Sequence, residues 1–117
     1  MIAVIFEVLP NAENKLEYLE IAAKLKPELK KNLGFISIER FQSFENPDKI
    51  LSLSFWESEE SVREWRITEI HRASQQKGRE YIFKNYRLVV AQAIRDYSML
   101  QRAEAPFDSE SYHDDVS

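Results

Sequence analysis

Residues 2–9, IAVIFEVL, are apolar at nearly every position, and this run most narrows what the chain can become. A strand with one wet face alternates; a strand that does not alternate needs cover on both faces. Residues 50–57, ILSLSFWE, make a related demand. Leu51, Leu53 and Phe55 share one face, while Ile50, Ser52, Ser54 and Trp56 share the other. A chain of 117 residues builds one domain with one modest core. Its own helices can cover one face of a sheet, and something else must cover the second.

The rest of the pattern says how many elements there are. Residues 13–32 carry Leu16, Leu19, Ala23, Leu25 and Leu29 near one helical stripe, which Leu33 just beyond continues. Pro27 interrupts it, so the spacing predicts a kink there or a second short helix opening on Pro27. Gly34 fits the position after a helix, where a left-handed backbone suits glycine. Residues 35–43 read as a second strand, Asn46-Pro47-Asp48 as a turn, and residues 50–57 as a third strand. Ser58 is an N-cap candidate with Glu59 and Glu60 in the first turn behind it. Helical character then runs to about Asn85, with a break expected near Thr68 and Gly78 inside. Residues 86–97 read as a long fourth strand, and residues 98–117 show no periodicity.

The order is strand, helix, strand, strand, helix, strand. This predicts an α+β, ferredoxin-like βαββαβ domain: a four-stranded antiparallel sheet with two helices on one face. The bare face would expose a large apolar patch. A second copy of the chain covering it gives a homodimeric α+β barrel with a two-fold axis. The expected division is a domain over residues 1–98 and an acidic tail over 99–117, flexible or packed on the partner subunit. Of the chain's twenty acidic residues, Glu104, Asp108, Glu110, Asp114 and Asp115 lie in that tail with no basic residue after Arg102, so the body is near neutral.

These features exclude several kinds of function. A near-neutral body lacks the basic footprint of a nucleic-acid binder. No apolar run is long enough to span a bilayer, and no basic segment precedes the first one as in a signal peptide. There is no cysteine, hence no disulfide, thiolate or zinc–thiolate site; the expected compartment is the cytoplasm. The two histidines, one of them in the tail, do not make a metal site. Only Gly34 and Gly78 are glycines, so there is no phosphate loop. No nucleophile elbow is present. Neither a cofactor nor a metal is expected.

The segment from Phe55 to Arg79 gathers the chemistry: Trp56, Trp65, His71, Arg72, Gly78 and Arg79. His71 is the only histidine outside the extreme C-terminus and the natural titrating group near neutral pH. Trp65 and Arg72, seven apart, share a helix face; Ile70, Ala73, Lys77 and Tyr81 make a second stripe, and His71 falls between the two. At the edge of a cavity Trp65 would be an apolar wall, His71 a proton acceptor and Arg72 a fixed charge for a developing oxyanion. The plainer alternative makes the tryptophan core, the histidine structural and the arginine solvated. Trp65, Phe83 and Tyr86 are also large enough to fill such a cavity.

The residues Gly34-Phe35, Phe55-Trp56-Glu57, Trp65, His71-Arg72, Gly78-Arg79, Tyr86-Arg87 and Arg95-Asp96-Tyr97 form a pattern across residues 1–98. It resembles the antibiotic biosynthesis monooxygenase family of small dimeric α+β barrels. The resemblance implies a cofactor-independent monooxygenase that oxidises an electron-rich phenol or hydroquinone with O2. It implies His71 and Arg72 as catalytic residues, and Trp65, Trp56, Phe83 and Tyr86 as binders of a small aromatic ligand. A second implied chemistry is haem degradation. Those relatives have a ligating histidine about ten residues after the helical tryptophan, where this chain has Gln75, and an asparagine in the first strand near Glu7. Both departures count against haem. A third implied role is a non-enzymatic ligand-binding dimer.

Overall fold

A computed structural model describes residues 1–75 and 83–106, except the side chains of Asn14, of positions 68–75 and of Phe83 and Lys84. Strand β1 (Ile2–Pro10) leads through a 3-10 turn (Ala12–Asn14) into helix α1 (Lys15–Leu29). Strands β2 (Phe35–Gln42) and β3 (Ile50–Trp56) follow, then helix α2 (Glu59–Gln75) and strand β4 (Phe83–Gln92). All neighbouring strands are antiparallel, in the order β2-β3-β1-β4. This is the expected α+β, ferredoxin-like sheet carrying two helices.

Register sorts the side chains onto two faces. Val4 lies opposite Ser54 and Val90, and Phe6 opposite Ser52 and Leu88; these residues and Trp56 face the helices. Val8, Tyr18 and Ile50 form a buried cluster there, with Phe6 and Ile21 packed against it. On the other face Ile5 lies opposite Leu53 and Val89, and Ala3 opposite Phe55 and Ala91. No helix among the described residues covers them, and they remain half-buried. β3 shows the consequence directly: Ile50, Ser52, Ser54 and Trp56 are buried, while Leu51, Leu53 and Phe55 are not fully so.

Three boundaries differ from the sequence expectation. α1 runs through Pro27 as one helix and stops at Leu29, with no second helix. Proline there forfeits only the bond to the Ala23 carbonyl, on an exposed residue in the last turn, so the helix tolerates it. β4 begins at Phe83, so helix does not extend to Asn85, and the strand ends at Gln92 rather than 97. β1 offers pairing partners only from Ile2 to Pro10, and β4 is the edge strand beside it, which limits the ladder. Gly78 lies outside the described residues.

Gly34 also serves another purpose than expected. It stands beyond the end of α1 and does not adopt a left-handed backbone. Instead, a Cβ at this position would overlap the side chain of Ser61 in the first turn of α2. Glycine is what lets the chain pass this close. The approach is clasped by hydrogen bonds: the Glu57 amide donates to the Gly34 carbonyl at 2.8 Å, and Asn32 Nδ2 donates to the Ser61 carbonyl at 3.1 Å. Ser58 caps α2 as expected, its hydroxyl accepting from the Ser61 amide at 3.2 Å.

Candidate functional site

The clasp around Gly34 fixes where α2 starts, and so what its first turns face. Val62, Trp65 and Arg66, spaced three and four apart, look onto the sheet. α1 presents Tyr18, Ala22 and Leu25 from the other side. Between the helices and the sheet is a cavity of about 340 Å³, within the range of small-molecule sites. Its floor includes Phe6 of β1, Ile38 and Arg40 of β2, and Ser52 and Ser54 of β3. Leu88 and Val90 of β4 close one side, where both remain substantially exposed. A second hollow of about 430 Å³ shares Val62, Arg66 and Val90 with it and adds Glu59, Glu60 and Arg63. Arg66 thus stands at the junction of the two.

Aromatic rings make up much of the wall. Trp56 is only 2 % exposed; its Nε1 donates to Ser54 Oγ at 2.9 Å, so the indole is fixed in orientation as well as buried. Phe35 meets it edge-on at 5.3 Å, and Trp65 of α2 lies 6.5 Å from it. Tyr86 stacks obliquely on Phe6 at 5.9 Å and is 64 % exposed, which makes it a rim rather than a plug. The structure therefore brings together Trp56, Trp65 and Tyr86. Phe83 opens β4, but its side chain lies outside the described residues, as do those of His71, Arg72 and Gln75.

The backbone of α2 still says something about spacing. On a regular helix positions 69 and 73 continue the face of Val62, Trp65 and Arg66, position 72 lies at its flank, and position 71 falls half a turn from Val62. Glu7 is on the sheet face away from the cavity, where its carboxylate pairs with Lys49 at 3.6 Å. It has no part in the cavity wall.

Sequence reasoning missed the two cationic lining residues. Arg66 neighbours Trp65 and belongs to the same helix face, a signal present in the spacing. Arg40 sits in β2, whose alternation Ile36, Ile38, Arg40 was legible but does not say that a cation projects among apolar walls. Its Nε is closed off from water and meets no hydrogen-bond acceptor among the described residues. None of the described lining residues of the main cavity carries a carboxylate. Among the described residues no cluster of histidine, cysteine, aspartate or glutamate could hold a metal ion. No helix among them is long and apolar enough to cross a membrane.

A small apolar cavity walled by a sheet tryptophan and a helix tryptophan can be set beside known proteins. A family model described as antibiotic biosynthesis monooxygenase matches residues 1–77. The chain belongs to this family. A curated relative, a jasmonate monooxygenase of Pyricularia oryzae, is 46% identical over 92 residues, covering 79% of this chain and 43% of that protein. The chain thus spans less than half the length of that relative. Among solved structures, Rv0793 of Mycobacterium tuberculosis superposes with a TM-score of 0.70 at 13% identity, covering 83% of this chain and 98% of that one. The haem degrader MhuD of the same organism, solved with two haems in its active site, gives 0.68 at 14% identity, covering 84% and 100%. Both share the fold of this family member.

Proposed function

We propose that this chain is a monooxygenase that oxidises an electron-rich phenol- or hydroquinone-type substrate with O2, in the cavity between its sheet and its two helices. The observation that carries this reading is the tryptophan pair: Trp56 from the sheet and Trp65 from α2, 6.5 Å apart, walling one apolar cavity. The name of the Pyricularia relative supports the reaction type.

The chemistry asks little of the protein beyond holding the ring and stabilising its anion. A phenolate passes one electron to O2, the aryloxyl radical and superoxide combine at a ring carbon, and loss of water from the hydroperoxide leaves a quinone. One oxygen atom enters the ring and the other departs as water, with the substrate supplying every electron. Trp56 and Trp65 hold the ring, and Tyr86 borders the opening. Arg66, between the cavity and the hollow beside it, favours the phenolate over the phenol. The proton then leaves to water at that mouth. His71 is the alternative proton acceptor, with Arg72 beside it on α2 as a second charge for the anion.

The assay is O2 uptake by purified protein over a panel of naphthols and hydroquinones. Wild type is expected to consume O2 with one or more of them, and Trp65→Ala to lose at least tenfold in turnover per bound substrate. A hundredfold loss of turnover with binding intact in His71→Ala would put His71 in the mechanism, and an unchanged turnover would remove it. Substrate binding with no O2 uptake from any compound would replace the reading with a non-enzymatic one. In either case the working form is a homodimer in the cytoplasm. A second copy covers Ile5, Leu53 and Phe55 on the bare sheet face, without nucleic acid or membrane as partner.

A further inference from the structure

The cavity floor holds two serines where its neighbours are apolar. β1 contributes Val4 and Phe6 and β4 contributes Leu88 and Val90, but β3, an inner strand, contributes Ser52 and Ser54. Both serines line the cavity, and both are more than nine-tenths buried, at 7 % and 5 % exposure. A small residue keeps the cavity open, yet alanine does that without a hydroxyl to strip of water. The protein does not use these hydroxyls up. Ser54 Oγ accepts the Trp56 Nε1–H at 2.9 Å, which leaves its own proton to give. Ser52 Oγ has no hydrogen-bond partner among the described residues. Arg40 lies across the ladder from Ser52, but its Nε does not bond the serine. Unlike that Nε, Ser52 Oγ is not closed off. What is open of Ser52 is open to the cavity it lines.

Buried hydroxyls are ordinarily hydrogen-bonded. Two that are nine-tenths buried, line one cavity and keep their protons free are donors waiting for a ligand. They stand two residues apart on one strand face, so their Cα atoms are roughly 7 Å apart, close enough to serve one end of a small molecule. The bond from Trp56 fixes which side of Ser54 Oγ is occupied and so steers its proton elsewhere. A hydroxyl donor suits a carbonyl or hydroxyl oxygen, which asks for a bond and no counter-charge. We infer that Ser52 and Ser54 are specificity-determining residues of this cavity: they donate to a carbonyl or hydroxyl oxygen at the end of the ligand that lies deepest on the sheet. This rests on the cavity being the substrate site. In the proposed reaction the ionising oxygen lies at the mouth beside Arg66, so the oxygen at the floor is a second one. The substrate is thereby narrowed to rings oxygenated at both ends.

Binding tests this without turnover. The probes are 6-hydroxy-1-tetralone and 5,6,7,8-tetrahydro-2-naphthol, which share a bicyclic skeleton and a phenol. They differ at the far end, where one has a carbonyl and the other a methylene. Both are titrated by calorimetry in mildly acidic buffer, where neither phenol ionises. Wild type is expected to bind the ketone about tenfold more tightly, although the other compound is the more apolar. Ser52→Ala and Ser54→Ala are each expected to cut that preference about threefold, and the double variant to remove it. Ser52→Thr, which keeps the hydroxyl, is expected to keep the preference. Circular dichroism melts separate lost selectivity from lost folding. Ser54→Ala also takes away the acceptor of the Trp56 indole, whereas Ser52→Ala breaks no bond among the described residues, so Ser52→Ala decides if the other variant does not fold. Equal binding of the two probes by wild type, or an undiminished preference in Ser52→Ala, overturns the inference. A preference that the serine variants lose, with no O2 uptake from any compound, upholds the inference and removes the monooxygenase reading; O2 uptake without the preference does the reverse.

Discussion

Gly34→Ala tests the clasp that positions α2. Sequence spacing explains this glycine by a left-handed backbone after a helix; the structure explains it by contact with Ser61. An added methyl would overlap both the Cβ and the hydroxyl of Ser61, so rotating one side chain cannot relieve it and the first turn of α2 must move. Overpacking of this kind costs about 1–3 kcal/mol. Moving the turn also weakens the Asn32–Ser61 and Glu57–Gly34 bonds, at roughly 1 kcal/mol each. Some of these terms trade off against one another, so the expected loss is about 2–4 kcal/mol, a fall in Tm of roughly 8–20 °C for a domain of this size. The decisive measurement is a double-mutant cycle by urea unfolding. Ser61→Gly removes the clashing atoms, at about 1 kcal/mol for glycine within a helix. Gly34→Ala with Ser61→Gly is therefore expected to be more stable than Gly34→Ala alone. A strained backbone dihedral could not be relieved from Ser61. If Gly34→Ala is as stable as wild type, or Ser61→Gly gives no rescue, the contact explanation is wrong.

Trp56→Phe removes a buried indole and its bond to Ser54 Oγ, and is expected to destabilise by about 2–3 kcal/mol in urea unfolding; an unchanged midpoint would mean that the ring is not held as described. Leu53→Glu puts a charge at the centre of the bare sheet face, opposite Ile5. It is expected to convert a dimeric wild type to monomer in sedimentation velocity, and a wild type that is monomeric at high micromolar concentration would leave that face without its proposed partner.

How much could be read in advance depends on whether the information was local. Strand and helix order was legible because each element carries its own period: Ile50 to Trp56 alternate as expected, and Ser58 caps the helix as expected. The end of β4 was not, because Ala93 to Tyr97 have strand-like composition and only the reach of β1 determines how far the ladder extends. Gly34 was noticed, but its reason lies 27 residues further along the chain, in Ser61. A distance of that kind is invisible to spacing rules.

The site follows the same logic. Trp65 stood out because tryptophan is rare here, and Arg72 followed because seven residues return a helix to the same side. Once the Gly34 clasp fixes the first turn, Val62, Trp65 and Arg66 face the cavity, which adds a cation one residue after the tryptophan; the side chain of Arg72 lies outside the described residues. Arg40 could not have been found by that route at all. It lies on another element, and its significance comes from what surrounds it: apolar neighbours, a buried Nε and no acid in the described lining. Composition near neutrality hides this, since an uncompensated charge inside one cavity leaves no trace in the sum over the chain.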